Sequence, residues 1–253
     1  MEISEILLNI LTAGFAGFSS GMFGIAGSVV ASPILSLALN YSPMIALATP
    51  LPSAIPSAVS GSYLYNKQKL IHYKLSAYAL IGAIPFSFAG SFATAYIEGN
   101  SLMIAKAAFL ILLGINFLLT GKLLKKSDGQ SKESITASIM AGSLAGFVAG
   151  ILAVGGGIVL VTAFVRINKL SIKEAIATSL LCVGVLSIIN SAVHYHLNHI
   201  AFYPALIIFL SVAPFSYLGA KLAVKLKNST MERLFGTMLI VFAIYFIIVR
   251  TCL

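Results

Sequence analysis

Apolar runs dominate the chain, and short polar clusters separate them. The runs fall at 6–23, 25–39, 43–64, 75–97, 102–119, 135–152, 154–165, 172–193, 200–224 and 231–249. Most approach the roughly 20 residues a helix needs to cross the hydrocarbon core of a bilayer. Two are shorter, 25–39 and 154–165, and each opens on small residues, Ala26-Gly27-Ser28 and Gly155-Gly156-Gly157. The pattern predicts an all-α polytopic membrane protein of about ten transmembrane segments. Composition agrees: 59% of residues are hydrophobic and 9% charged, against roughly 25% charged in soluble domains. No connection is long enough to hold an extramembrane domain, so whatever the chain does is done within the bilayer.

The pattern also repeats at an offset of 129 residues without a gap. Gly17-Phe18-Ser19-Ser20-Gly21 aligns with Gly146-Phe147-Val148-Ala149-Gly150, and Ala26-Gly27-Ser28 with Gly155-Gly156-Gly157. Ser42, Ala46, Ala48 and Thr49 align with Ser171, Ala175, Ala177 and Thr178, and Pro85-Phe86-Ser87 and Gly90 with Pro214-Phe215-Ser216 and Gly219. Register kept this far predicts an internal duplication: a first membrane repeat at 1–121, a second at 134–253, and the polar stretch KLLKKSDGQSKE at 122–133 as the linker.

Charge then orients the repeats. If all five segments of each repeat cross, the repeats are inverted and 14 of the 16 Lys and Arg residues share one side, with Lys106 and Arg250 opposite. If the short segments do not cross, the same residues split 8 against 8. Positive charge gathers on the cytoplasmic side, which favours two inverted five-segment repeats and a cytoplasmic linker. The net charge of +9 is thereby explained by orientation, without nucleic acid. Glu2 and Glu5 ahead of the first apolar run argue against a cleaved signal peptide, and Cys182 and Cys252 lie in apolar sequence with no disulfide pattern.

Short, glycine-interrupted segments at corresponding positions of two inverted halves point to a binding site. Backbone that leaves helical geometry at membrane depth must be buried in protein or line a wet cavity, and a helix beginning there presents unpaired N–H groups suited to an anion. The candidate substrate-binding residues are therefore Gly24, Ala26, Gly27, Ser28, Gly155, Gly156 and Gly157, joined by Thr49, Ser53, Thr178 and Ser179 from the segments that follow. Thr49, Ser53, Ser57 and Ser60 are spaced for one helical face, which Pro50, Pro52 and Pro56 should distort. Ser187, Asn190, Ser191 and His194 make a further polar stripe. No Asp or Glu lies within an apolar segment, which weighs against a cation carrier and offers no obvious proton relay. His194, His196 and His199 raise a metalloenzyme as an alternative, and a non-transporting partner subunit as another; neither a catalytic residue, a metal nor a cofactor is expected on the main reading.

The duplicated stretches GFSSGMFGIAGSVVASP (17–33) and GFVAGILAVGGGIVLVT (146–162), with ALAT (46–49), AIATS (175–179) and the glycine-bearing fourth segments, resemble the TauE/SafE family of membrane permeases, the sulfite exporter group. The resemblance runs over essentially the whole length. It implies a permease in a bacterial cytoplasmic membrane that moves small sulfur-containing anions such as sulfite or organosulfonates. The family's glycine motif maps onto Gly24, Ala26, Gly27 and Ser28, and onto Gly155, Gly156 and Gly157. Ala26 and Ser28 replace glycines, Ala153 stands opposite Gly24, Thr162 opposite Pro33, and Pro50 opposite Ser179.

Overall fold

In lipid the backbone must satisfy its own hydrogen bonds, and helices do so within one segment. The computed structural model describes residues 3–120 and 134–251, and the expected linker falls outside them. Among the described residues there is no strand. The helices are α1 (Ile3–Phe23), α2 (Ser28–Ala38), α3 (Pro43–Ala48), α4 (Ala54–Lys67), α5 (Tyr73–Ala93), α6 (Gly99–Thr120), α7 (Ile135–Leu152), α8 (Gly157–Arg166), α9 (Ile172–His196), α10 (Phe202–Lys225) and α11 (Asn228–Thr251). Each apolar run of the sequence carries one helix, except the third, which carries two.

That exception has a local cause. Pro50 and Pro52 cannot donate to a helical ladder, so α3 stops at Ala48, a 3-10 turn covers Leu51–Ser53, and α4 resumes at Ala54. The Pro50 carbonyl is taken up locally by the Ser53 amide and hydroxyl at 3.2 and 2.7 Å. The corresponding stretch of α9 has no proline and runs unbroken for 25 residues, started by a capping box between Ser171 and Glu174. Thr49 and Ser53 therefore sit on either side of a break rather than along one continuous helical face. Ser57 bonds to Ser20 and Ser60 to the Ala213 carbonyl, each at 2.7 Å.

Among the described residues six spans are long and apolar enough to cross a membrane, and α2 and α8 are not among them. With 11 and 10 residues, each rises only about 15 Å, roughly half the hydrocarbon core. Packing places α4 and α9 at the centre, with α1 against α10, α5 against α7, and α6 against α11.

Packing recurs at the sequence offset. A Cβ on Gly21 would lie 2.0 Å from the Ser216 carbonyl oxygen, and one on Gly150 would lie 2.4 Å from that of Ser87. Gly17 and Val212, Gly146 and Ala83, Gly219 and Phe18, and Gly90 and Phe147 make the same paired contacts. Each residue of one set differs from its counterpart by 129. The backbone recurs too: the left-handed residues Asn40 and Lys169, Lys69 and Asn198, and Gly24 and Ala153 are the same three positions seen twice. Small residues here let helix backbones touch where lipid supplies no hydrophobic drive for association.

Gly21→Val and Gly150→Val are expected to destabilise the protein by similar amounts, about 1–3 kcal/mol or more as for overpacked cores. Thermal melts of the two purified variants in one detergent check this. Unchanged melting in either would contradict the backbone contact.

Candidate functional site

Two helices end where no helix should end, in the middle of the packed structure. α1 stops at Phe23, and Gly24 turns the chain with φ +65° before α2 begins at Ser28. α7 stops at Leu152, and Ala153, Gly155 and Gly156 turn it with φ of +51°, +66° and +71° before α8 begins at Gly157. Three of those four are glycines, which adopt this region freely; Ala153 carries a strain of about 1–3 kcal/mol there.

The two breaks abut. A Cβ on Gly157 would lie 2.2 Å from the Gly24 carbonyl oxygen, and one on Gly155 would lie 2.4 Å from the Ala26 Cβ. Hydrogen bonds tie them: the Ser28 hydroxyl donates to the Ala153 carbonyl at 2.5 Å, and the Ser179 hydroxyl shares its proton between the carbonyls of Gly24 and Ile176 at 3.2 and 3.0 Å. The first return bonds of α2 and α8 reach the carbonyls of Ala26, Gly27 and Gly156. Neither α2 nor α8 has a side-chain cap at its start, so their first N–H groups lack the intrahelical acceptors that later turns have. Ala26, Ser28, Thr49, Thr178 and Ser179 have no exposed surface, and Ser53 has 1%. The site as it stands is closed.

The threonines do something that sequence did not suggest. Thr49 accepts the Ala201 N–H and Thr178 accepts the His72 N–H, each at 3.1 Å. His72 and Ala201 precede α5 and α10, so each hydroxyl satisfies an orphan donor at the start of a helix in the other half of the chain. They hold the frame around the breaks, and Ser179 is the member of that group that touches a break directly.

Lys106 is the residue sequence reasoning misplaced. Counted there with the charges that orient the segments, although it falls in the run 102–119, it lies within α6 with no exposed surface. Its ammonium donates to the Ser28 carbonyl at 3.3 Å and the Ser32 hydroxyl at 2.9 Å, and Ser32 in turn donates to Ser28. A buried lysine amine thus sits on the first turn of α2, beside the break. The readable signal was a lysine flanked by apolar residues on both sides, Ile104-Ala105 and Ala107-Ala108. The equivalent position in the second half is Phe235, which is buried and packs edge-on against Phe23. The described acids, Glu5, Glu98, Glu174 and Glu232, all stand at or near helix starts.

At the far end of α9, His194 and His199 bring their Nδ1 atoms to 3.2 Å, and partial burial holds the His199 imidazole below its ordinary titration range. His196 is exposed and does not join them. Among the described residues no group of three His, Cys, Asp or Glu side chains is placed to hold a metal. Cys182 is buried against the Ser76 carbonyl, and Cys252 lies outside the described residues.

Known proteins resemble this chain over most of its length. The family described as Sulfite exporter TauE/SafE matches residues 9–246. The chain belongs to the TauE/SafE family. Among its relatives, the probable membrane transporter protein YunE of Bacillus subtilis is 24% identical over 91% of this chain and 91% of its own. A probable membrane transporter protein of Xylella fastidiosa is 24% identical over 98% and 97%. The probable membrane transporter protein YfcA of Escherichia coli is 27% identical over 69% and 65%. This TauE/SafE protein is accordingly an integral membrane protein of a transporter family.

Replacing either threonine by valine is expected to lower stability by about 1 kcal/mol, the loss of a hydrogen bond to a partly buried N–H, while serine at either site retains most of it. Melting temperatures of Thr49→Val, Thr178→Val and their serine counterparts measure this. A valine variant as stable as the parent would remove the capping role.

Proposed function

We propose that this protein is a secondary transporter for a small anion, sulfur-containing such as sulfite or an organosulfonate, and not an enzyme. The anion binds between the two glycine breaks. The observation that carries the reading is Lys106, a fully buried lysine side chain on the first turn of α2 that a bound anion would hold protonated, beside two helix starts whose N–H groups add partial positive charge. Positive potential from three directions, enclosed in apolar protein, suits a small oxyanion and repels a cation. Charged side chains are rare inside membranes and mark the path of what is carried. Gly24, Ala26, Gly27, Ser28, Gly155, Gly156 and Gly157 would frame the anion, with Ser179 beside it, while Thr49, Ser53 and Thr178 would maintain the surrounding frame.

In this reading residues 1–121 and 134–253 are inverted repeats of five segments each, and 122–133 is a linker on the cytoplasmic side of a bacterial inner membrane. The recurrence of helix contacts and left-handed residues at 129 supports the duplication. The tied breaks then correspond to an occluded conformation. Rocking one half against the other would part Ser28 from Ala153 and Ser179 from Gly24, opening the site to one side at a time.

The test is flux in liposomes carrying the purified protein, with sulfite, a small organosulfonate, sulfate and a carboxylate offered in turn. Sulfite or sulfonate flux is expected above empty liposomes, and no flux with any of the four would overturn the reading. Lys106→Met should cut the transported anion's flux at least tenfold, with Lys106→Arg retaining more than Met. Flux in Lys106→Met equal to the parent's would remove the lysine from the site. Gly156→Leu should also abolish flux, but its φ of +71° and the Ala145 carbonyl 2.9 Å from a Cβ there make that variant a test of folding as well.

A further inference from the structure

The face of α9 that touches the second break does not end there. Val183 packs against Gly157, and Leu186 against Gly156; the next positions on that face are Ser187, Asn190, Ser191 and His194, at helical spacings of three and four. Ser187 and Asn190 have no exposed surface and His194 has 1%. Opposite them, α5 contributes Ser87 and Ser91, whose hydroxyls both donate to the Asn190 Oδ1, the second at 3.0 Å. With its oxygen occupied by two donors, the amide turns its NH2 group the other way. Asn190 Nδ2, Ser187 Oγ and Ser191 Oγ then have no hydrogen-bond partner among the described residues.

Buried polar groups without partners cost free energy and are rare in native structures, so several on one helix face mark a place that is filled at some stage of function. The filling must accept hydrogen bonds, because an amide NH2 group can only donate. The corresponding residues in the first half are Ala58, Gly61, Ser62 and Tyr65. No amide is repeated there, and the Tyr65 hydroxyl is spent on the Gly21 carbonyl at 2.7 Å. The Ser62 hydroxyl, counterpart of Ser191, is likewise without a partner among the described residues, but the amide and the Ser187 hydroxyl occur in the second half only.

We infer that Ser187 and Asn190, with Ser191 beside them, form a second station for the transported oxyanion, between the Gly155–Gly157 break and the His194 end of α9. The inference rests on the transporter reading of the breaks. An anion leaving the break meets hydroxyl and amide donors one turn farther along α9, so it exchanges one set of hydrogen bonds for another instead of crossing apolar protein bare. Lys106 holds the first station by charge, and Asn190 holds the second by neutral donors, which bind more weakly and release more readily.

Two measurements test it. In a Cys182→Ala/Cys252→Ala background, Ser187→Cys is exposed in liposomes to an anionic sulfonatoethyl and a cationic trimethylammonioethyl methanethiosulfonate, each rate normalised to that with a free thiol. The anionic reagent is expected to react at least tenfold faster, and added methanesulfonate to slow it. Equal rates, cationic preference or no reaction with either would overturn the station. In flux of sulfite, Asn190→Ser should stay within threefold of the parent and Asn190→Leu should lose tenfold or more; a residue that only packs would show the reverse order. Anionic labelling of Ser187→Cys without flux in the parent would sink the transporter reading and leave the donor station. Flux in the parent without labelling would do the opposite.

Discussion

A helix cut inside a bilayer leaves N–H groups that lipid cannot satisfy, and the protein must bring something to them. Much of this fold can be understood as the answer to two such cuts. The ends of α1 and α7 are brought together so that the breaks cover each other, Ser28 reaching Ala153 and Ser179 reaching Gly24. The close pairs of α1 with α10 and α5 with α7 need glycine at the contact because the broken helices must be held from outside by backbone touching backbone. Even the threonines at the periphery of the breaks serve the same need, each supplying the acceptor missing at another helix start.

The two halves solve the problem with one geometry and different side chains. Ala153 tolerates the left-handed turn that Gly24 takes freely, and three prolines and a 3-10 turn stand where α9 runs straight. Such differences are tolerated where the backbone path alone matters. Lys106 against Phe235, and Asn190 against Gly61, are differences of another kind, because they change the charge or the hydrogen-bonding capacity of a buried space.

Much of the architecture was legible in the sequence for a physical reason: apolar runs of membrane length can only be helices, and an ungapped offset keeps every contact in register. Thus the residue pairs 129 apart, and the breaks at 24–28 and 153–157, could be read directly. The breaks' meeting could be expected but not their closeness, which depends on Gly157 and Gly155 admitting another backbone. Thr49 and Thr178 were identifiable as a recurring pair, yet their partners lie in the other half, so their bonds to Ala201 and His72 had no local trace. Lys106 was misread because side-counting treats every lysine as a surface charge. A lysine with apolar neighbours on both sides of the same helix has no surface within easy reach, and that was the signal to follow.

The Lys106 and Phe235 pair bears on how a carrier of this build would rest when empty. Two halves alike in every respect would face either side of the membrane with equal free energy, and the empty protein would divide its time evenly. One buried charge present in a single half breaks that degeneracy, since the membrane potential and the hydration of the opened cavity act on it differently in the two orientations. An empty carrier of this build would then wait mostly toward one side. Such a bias alters the concentration at which each face saturates, but the direction of net movement still follows the gradient, because a protein that ends each cycle unchanged cannot shift an equilibrium.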